Sequence, residues 1–428
     1  SSPTRPRSTA SRGGARARAP SAAPPAAPVA PSHHPLPPTQ DEGASNDLAN
    51  ADIVTKYRCA GDIASRVLAA VVDATKPGAK VLELCQLGDQ LIEEGTGKVY
   101  NQKKEGKKME KGIAFPTCVS PNHCVGHYSP LSSEAPQELK EGDIVKIDLG
   151  VHVDGYIAVV AHTVVCGQGE AALTGRQADA MVAAWTVAEC MQRMFNAGVK
   201  NTEITDMISK VAEAYDVRPV EGVLSHQMKR HVIDANKVII AKATTEQQVA
   251  EKSFDASDVF AFDIVMSTGE GKARPAEQRT TVYKRDVEEK YSLKMKASRA
   301  FFSEVNARFP TLPFTLRAGD EKQWRLGVTE CVKHGLFTEY PVLYEKADAI
   351  IAHVKFTALL LPSGNVVRLT SGPPPNATSE KKLEDEGINA ILAQSTDAKK
   401  KKKANKKKKK AGGGEGGDGD GETKEGGE

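Results

Sequence analysis

The sequence has few of the features that mark membrane, disulfide-bonded or zinc-binding proteins. No apolar run approaches the roughly 18 residues that a membrane helix needs, so we expect no membrane insertion. The seven cysteines are scattered and form no CxxC pair, which favours reduced thiols in a cytosolic or nuclear compartment. The GxxxxGK(S/T) spacing of a phosphate loop is also absent. A length of 428 residues allows two or three domains, or one large α/β core with tails.

Acidic residues are missing from the first 40 positions, where prolines are frequent. Residues 1–45 are rich in Pro, Ala, Ser and Arg, and such a segment cannot bury enough apolar surface to order itself. We therefore expect a disordered N-terminal extension. Acid-poor, Arg-rich termini are also typical of organelle transit peptides, although prolines break the amphipathic helix of such peptides. Because the first residue is Ser rather than Met, an untranslated or cloned extension is a further alternative.

An apolar hairpin lies near the centre of the organised part of the chain. Two β-branched runs, 145–147 and 157–165, flank the pair Asp154-Gly155, and an Asp-Gly pair supplies the positive φ angles of a tight hairpin. Asp148 follows the first run directly. A carboxylate in this setting is paired, binds a metal or lies solvated at a strand end, because leaving it bare in a core is costly.

A pattern of helix, glycine break and helix occurs twice, about 120 residues apart. Ile63, Val67 and Val71 recur every four residues and predict a helix that stops at Pro77-Gly78. A second amphipathic run ends before Gly95. The second copy has matching positions at Ala183, Val187, Met191, Gly198, Ile204, Met207 and Val211. Such a repeat indicates two related halves packed about a pseudo-twofold axis.

Several long stretches of the chain match known proteins. They are KYRCAGDIASRVL, EKGIAFPT, KEGDIVKIDLGVHVDGYIA, EGVLSHQMKRHVID, SGEGKA, QRTTVYKRD and LKMKASRAFFSEV. These stretches resemble the proliferation-associated or ErbB-receptor-binding proteins, which are inactive relatives of type 2 methionine aminopeptidases. The resemblance implies an α/β (α+β) pita-bread fold of the creatinase/aminopeptidase kind over residues 46–375. Its pseudo-twofold halves would enclose a cleft, and a helical subdomain would be inserted at about 290–345.

The resemblance also implies where a metal site would lie. The aminopeptidases hold two metals with two Asp, one His and two Glu, and the matching positions here are Asp148, Val159, His226, Asp263 and Lys355. A further His that assists catalysis matches His127. Two-metal hydrolases clamp their ions about 3.5–4 Å apart, and in this family the second Asp and the last Glu bridge them. Here valine offers no lone pair and lysine adds a positive charge, so we predict an inactive homologue without metal or cofactor.

Basic residues are concentrated in three segments that could contact RNA. The first is a charged segment, 103–111, which we expect to be a hairpin loop, and the second opens the inserted subdomain. The third is the run 399–410 in a C-terminal tail, 376–428, that has an acidic, Gly-rich end. A solvated surface is the alternative for each, and the run also has the look of a nuclear-import or nucleolar-retention signal. The candidate residues are Lys103, Lys104, Lys107, Lys108, Lys294, Lys296, Arg299, Lys399, Lys400, Lys401, Lys402, Lys403, Lys406, Lys407, Lys408, Lys409 and Lys410.

These features predict a noncatalytic factor that binds ribosomes and RNA. The resemblance implies that its partners are the large ribosomal subunit, near the exit tunnel, and rRNA, and that it acts in ribosome biogenesis, translation and growth regulation. It further implies other RNA and signalling or transcription proteins as partners, in the cytoplasm and the nucleus or nucleolus. A transcriptional or signalling interaction module is the alternative, and an aminopeptidase with an altered metal site is a minor one. We also expect a helix over 380–394 and core positions for Trp324 and Phe314.

Overall fold

The computed structural model describes residues 46–103 and 106–396. The predicted N-terminal extension, Lys104 and the polylysine run with the acidic end lie outside the described residues. Those predictions are therefore not tested by the structure.

The described residues form seven α-helices, whose bounds depart from the sequence prediction at two places. The second helix continues past Gly95 to Gly97. A Cβ at Gly95 would lie 2.9 Å from Ile63 Cγ2, so glycine at this position lets the first two helices pack closely. The last helix is shorter than the predicted 380–394, since Asp385 accepts a hydrogen bond from Ile388 N at 2.9 Å and caps it. The helices are α1 Ala51–Ala74, α2 Val81–Gly97, α3 Gly175–Met194, α4 Asn201–Ala214, α5 Lys296–Arg308, α6 Glu321–Lys333 and α7 Glu386–Leu392.

Fifteen β-strands are present in the same residues. They are β1 Lys111–Pro121, β2 Cys124–Gly126, β3 Ile144–Val153, β4 Tyr156–Val165, β5 Arg218–Pro219, β6 Leu224–Gln227, β7 Val238–Ile240, β8 Val259–Ser267, β9 Arg274–Pro275, β10 Val282–Arg285, β11 Phe314–Thr315, β12 Phe337–Tyr340, β13 Leu343–Tyr344, β14 Ile351–Leu360 and β15 Val366–Arg368. Nine of them form one antiparallel sheet in the order β1-β3-β4-β14-β8-β6-β7, with β15 beside β14 and β5 beside β8. Separate helices packed on an antiparallel sheet make this an α+β fold.

The predicted repeat is present as two halves with matching backbone hydrogen bonds. Between α1 and α2, Gly78 has φ +86° and donates from N to Leu139 O at 2.8 Å. Between α3 and α4, Gly198 has φ +87° and donates to Phe254 O at 2.9 Å. A side chain at either glycine would be strained at this φ. The first helix pair buries its apolar face against β3 and β4, and the second pair against β8 and β14.

A compact unit built around α5 and α6 projects from the first half. Trp324 and Phe314 are each 1% exposed, which confirms their predicted core positions. The strands β11-β10-β12 form a small sheet beside the two helices, so the unit includes β10, which precedes the predicted start at residue 290. Arg317 donates to Asp89 of α2 at 2.7 Å and to Ser129 Oγ at 2.7 Å. These buried contacts join the unit to the first half, and Lys284 of β10 pairs with Asp234 of the second half.

The cysteines lie apart as thiols, as their scattered positions predicted. All seven cysteines lie in the described residues as free thiols, six of them buried and Cys59 partly so. Burial raises the pKa of Cys85 to about 11, which keeps this thiol protonated at neutral pH. None of the helices in residues 46–103 and 106–396 is long and apolar enough to cross a membrane.

Lys146 is an exception to the apolar core of the first half. It lies on β3, is 1% exposed, and donates from Nζ to Asn122 O, but it forms no ion pair within the described residues. Burial lowers the pKa of Lys146 to about 7. The unfolded chain keeps this amine protonated up to about 10.4, so Lys146 destabilises the fold most at and below neutral pH.

We therefore expect Lys146→Met to increase the free energy of unfolding at pH 7 by a few kcal/mol, since one pKa unit corresponds to about 1.4 kcal/mol. The folded wild type sheds its proton first, so the difference from the variant will narrow as the pH rises from about 7 to about 10. Urea denaturation over this pH range measures the difference. Lys140→Met, at an exposed position just before β3, is the control and should show no such trend.

A buried ion-pair network at the candidate functional site

The central strands align the acidic site residues and Lys355 in one row across the sheet. Asp148 on β3 is paired with Ala161 on β4, Ala161 with Lys355 on β14, and Lys355 with Asp263 on β8. Side chains of directly paired residues lie on the same face of a sheet. Val159 lies two residues before Ala161 and therefore belongs to this face too. The row joins two strands from each half of the molecule.

Asp148 lies in the middle of its strand, which corrects the expectation that it follows the strand's end. The pairing of β3 with β4 continues without interruption from Ile144↔Val165 to Val153↔Tyr156, because the turn at Asp154-Gly155 sets the register. Asp154 has φ +56° and Gly155 has φ +76°, as the prediction of a tight turn requires. Asp148 is only 6% exposed, so the alternative of a solvated strand end is wrong.

Lys355 binds both carboxylates of the row. Its Nζ donates to Asp148 Oδ2 at 2.6 Å and lies 3.0 Å from Asp263 Oδ2. The other oxygen of Asp263, Oδ1, is 2.7 Å from His353 Nε2. Lys355 is 8% exposed and His353 5%, and the ring of Phe115 lies 5.6 Å from Nζ. The network is thus an ammonium between two carboxylates in a largely dry site.

The opposite charges in this network keep one another ionised although the side chains are buried. Burial lowers the pKa of Lys355, but the charges of Asp148 and Asp263 outweigh it and raise that pKa above its ordinary value. Burial raises the pKa of Asp263, yet the charges of Lys355 and then His353 hold that pKa well below its ordinary value. Lys355 and Asp263 are therefore both charged at neutral pH, and each depends on the other for its charge.

His226 and His127 lie close enough to feel the charges of this network. His226 is on β6, which pairs with β8, and its buried Nδ1 has no hydrogen-bond partner among the residues that the structure describes. His127 has φ +65° and its Nδ1 lies 3.0 Å from Pro341 O, while its ring packs edge-on against Tyr340. Burial lowers the pKa of both histidines, so both rings are neutral at pH 7. The structure brings the six positions that the resemblance singled out to one region of the sheet.

The donor set does not fit a pair of divalent cations. Val159 contributes a buried isopropyl group, and the ammonium of Lys355 lies between the carboxylates that would otherwise share the ions. Metal–ligand bonds need lone pairs, and a protonated amine has none to give. Within the described part of the chain, no group of three or more His, Cys, Asp and Glu side chains is arranged to hold a metal ion.

The RNA candidates among the described residues are exposed. Lys103, Lys107 and Lys108 lie in the connection from α2 to β1, which corrects the expected hairpin loop because the preceding element is a helix. Lys294, Lys296 and Arg299 lie at the start of α5. Arg299 donates to Lys294 O at 2.6 Å and steadies this turn.

His353 is the network member that the sequence analysis missed. It precedes Lys355 by two residues, and residues two apart on a strand share a face. The two-residue spacing would have placed His353 beside the network once Lys355 had been assigned to a strand. The pairing of His353 with Asp263 needs the register between β14 and β8, which only the structure supplies.

Two helix-pair halves around one antiparallel sheet, with acidic residues on its central strands, define the class of metallopeptidase-like pita-bread proteins. The model of the metallopeptidase family M24 matches residues 55–272. Within that class, the chain belongs to the family of ErbB-3-binding or proliferation-associated proteins, which confirms the predicted fold and family.

The relatives match more than four fifths of the chain. ErbB-3 binding protein 1 of Solanum tuberosum is 48% identical over 356 residues, covering 83% of this chain and 90% of that protein. Proliferation-associated protein A of Dictyostelium discoideum is 44% identical over 352 residues, covering 82% and 90%. A solved structure of a thermophilic Arx1 matches with a TM-score of 0.75 at 33% identity, over 81% of this chain and 99% of that one.

We expect Lys355→Met to lower the free energy of unfolding at pH 7 by about 3–5 kcal/mol, because two buried carboxylates then lack their cation. In the wild type, Asp263 stabilises the fold above its ordinary pKa of about 3.9 and loses this contribution as the pH falls through its lowered folded pKa. In the variant, carboxylate repulsion raises the folded pKa. The variant will therefore gain stability relative to the wild type between pH 7 and about pH 5, as urea denaturation can measure.

Lys80→Met is the matched control, because Lys80 pairs with Glu83 at 3.1 Å near the surface at the start of α2. Exposed ion pairs contribute little, so its urea midpoint should stay at the wild-type value at both pH values. Equal midpoints for Lys355→Met and the wild type would contradict the role assigned to the network.

Proposed function

We propose that this protein is a noncatalytic factor that binds the large ribosomal subunit and RNA. The observation that carries the noncatalytic part is the contact of Lys355 Nζ with both Asp148 and Asp263. A fixed positive charge about 3–4 Å from a dication opposes its binding by several kcal/mol at the effective dielectric of a partly buried site. A peptidase of this class needs two cations there to activate water. The cleft therefore serves as a scaffold.

The resemblance supplies the ribosome as the partner, and the exposed cations of the inserted unit support it. Lys294, Lys296 and Arg299 have no carboxylate within ion-pair distance in the described residues, so their charges are available to phosphates. Lysines 399–410 add sequence-independent affinity for rRNA and other RNA. We propose that the protein acts in ribosome biogenesis, translation and growth control, in the cytoplasm and in the nucleus or nucleolus.

An interaction module in signalling or transcription is the second candidate function. The name of the Solanum tuberosum relative, ErbB-3 binding protein 1, states a receptor partner for that protein. A surviving aminopeptidase has less support. Asp148, His226 and Asp263 remain as potential ligands for one ion, but Lys355 beside them opposes both ion binding and the activation of water.

Sucrose-gradient sedimentation of a lysate tests ribosome binding. We expect the wild type to sediment with the large subunit at low salt and to leave it at high salt, since phosphate contacts weaken as salt rises. Reversing the charges of Lys294, Lys296 and Arg299 to Glu should move the protein toward the top of the gradient. The matched control reverses the exposed Lys76, Lys98 and Lys140 of the first half and should sediment like the wild type.

Full sedimentation of the α5 variant with the large subunit would contradict the proposed contact. Absence of the wild type from the large-subunit fractions at any salt concentration would count against ribosome binding itself.

Catalysis is tested separately on purified protein. We expect no release of Met from a Met-Ala-Ser peptide in the presence of Mn²⁺ or Co²⁺, and no stoichiometric metal by elemental analysis. An active methionine aminopeptidase assayed in parallel is the positive control. Two bound metal ions per chain together with turnover would overturn the noncatalytic assignment.

A further inference from the structure

Asp148 and Asp263 place carboxylates at two of the metal-binding positions of the aminopeptidases. The two metal-bridging positions are occupied by Val159 and Lys355 instead. Asp148 and Asp263 come from strands of different halves and meet at one point of the sheet. Both approach the same nitrogen atom, at 2.6 and 3.0 Å. Two buried carboxylates at such a point cannot both stay ionised unless a cation lies between them. The fold therefore requires a positive charge here.

The surroundings of Lys355 Nζ are complete for an ammonium ion. Two of its three N–H groups have carboxylate acceptors, and the ring of Phe115 lies 5.6 Å from the nitrogen. His353 holds the second oxygen of Asp263 at 2.7 Å and so fixes the orientation of that carboxylate. His353 is in turn fixed by backbone bonds to Thr163, with its N donating to Thr163 Oγ1 at 2.7 Å. The acceptors are thus preorganised around the cation.

We propose that Lys355 supplies from within the chain the positive charge that free ions supply in metallopeptidases, and that Asp148 and Asp263, the latter oriented by His353, form a latent cation site. Removing the lysine side chain would open this site to one small cation. A primary alkylammonium fits best because it restores both the charge and the N–H donors. A single divalent metal ion is the other source of the same charge. This inference does not depend on ribosome binding.

The test uses the full-length chain carrying Lys355→Ala. We expect its thermal midpoint to lie below that of the wild type and to rise saturably with propylammonium, which replaces the deleted atoms. Mn²⁺ should also raise it, since the two carboxylates remain as oxygen ligands. Tetramethylammonium at equal ionic strength has no N–H donor and should leave the midpoint unchanged. The wild type, whose site is filled, should respond to none of the three.

A second substitution links the rescue to the site. Adding Asp263→Asn to Lys355→Ala removes one of the two charges that attract the cation, so the rescue by propylammonium and Mn²⁺ should disappear. Rescue that persists in the double variant, or a Lys355→Ala protein that no cation stabilises, would overturn the proposal.

A neutral variant keeps the proposal testable if Lys355→Ala does not fold. Lys355→Met with Asp148→Asn and Asp263→Asn removes the cation and both charges that need it. If charge neutralisation is the role of Lys355, this triple variant should fold and recover at least half of the urea midpoint lost by Lys355→Met. A triple variant no more stable than Lys355→Met would show that the lysine acts through packing, and would refute the proposal.

Discussion

The ammonium of Lys355 between Asp148 and Asp263 is the interaction on which the centre of the molecule depends. Lys355 lies on β14, the third of four strands in a row that starts in one half and ends in the other. A buried ion pair seldom adds net stability compared with apolar packing. Its importance here is that three strands bring two carboxylates together, and that arrangement is tolerable only with a cation. The sheet brings the carboxylates together, and the lysine allows both to stay ionised in the core.

The distribution of charge separates the folded body from its tails. The whole chain has 58 Lys and Arg against 55 Asp and Glu, while the described residues alone have 41 against 45. The body is thus slightly acidic, and the excess of positive charge belongs to segments outside it. Contacts of the body with an anionic partner must therefore come from local groups such as the start of α5 rather than from a general attraction.

Much of the fold could be predicted because its signals are local in the sequence. The Asp154-Gly155 turn, the four-residue spacing of Ile63, Val67 and Val71, and the glycine breaks each depend on residues close in the chain. The site was harder because strand register is a long-range property. The burial of Asp148 and the pairing of His353 with Asp263 follow only when β3, β4, β14 and β8 are aligned. The start of α7 is set by a side-chain cap that propensity does not contain.

The places where α7 and the inserted unit are attached have a consequence for large partners. Ile388 of α7 packs into the core that includes α3, in the second half, whereas the inserted unit contacts both halves, through Arg317 with Asp89 and through Lys284 with Asp234. The lysine-rich run follows α7 in the sequence, and α7 packs on a different core from α5. A partner that bound both the start of α5 and the lysine-rich run would be bound bivalently. Binding at one site would raise the effective concentration of the partner at the other site. Two weak contacts would then give a high overall affinity without any single strong contact.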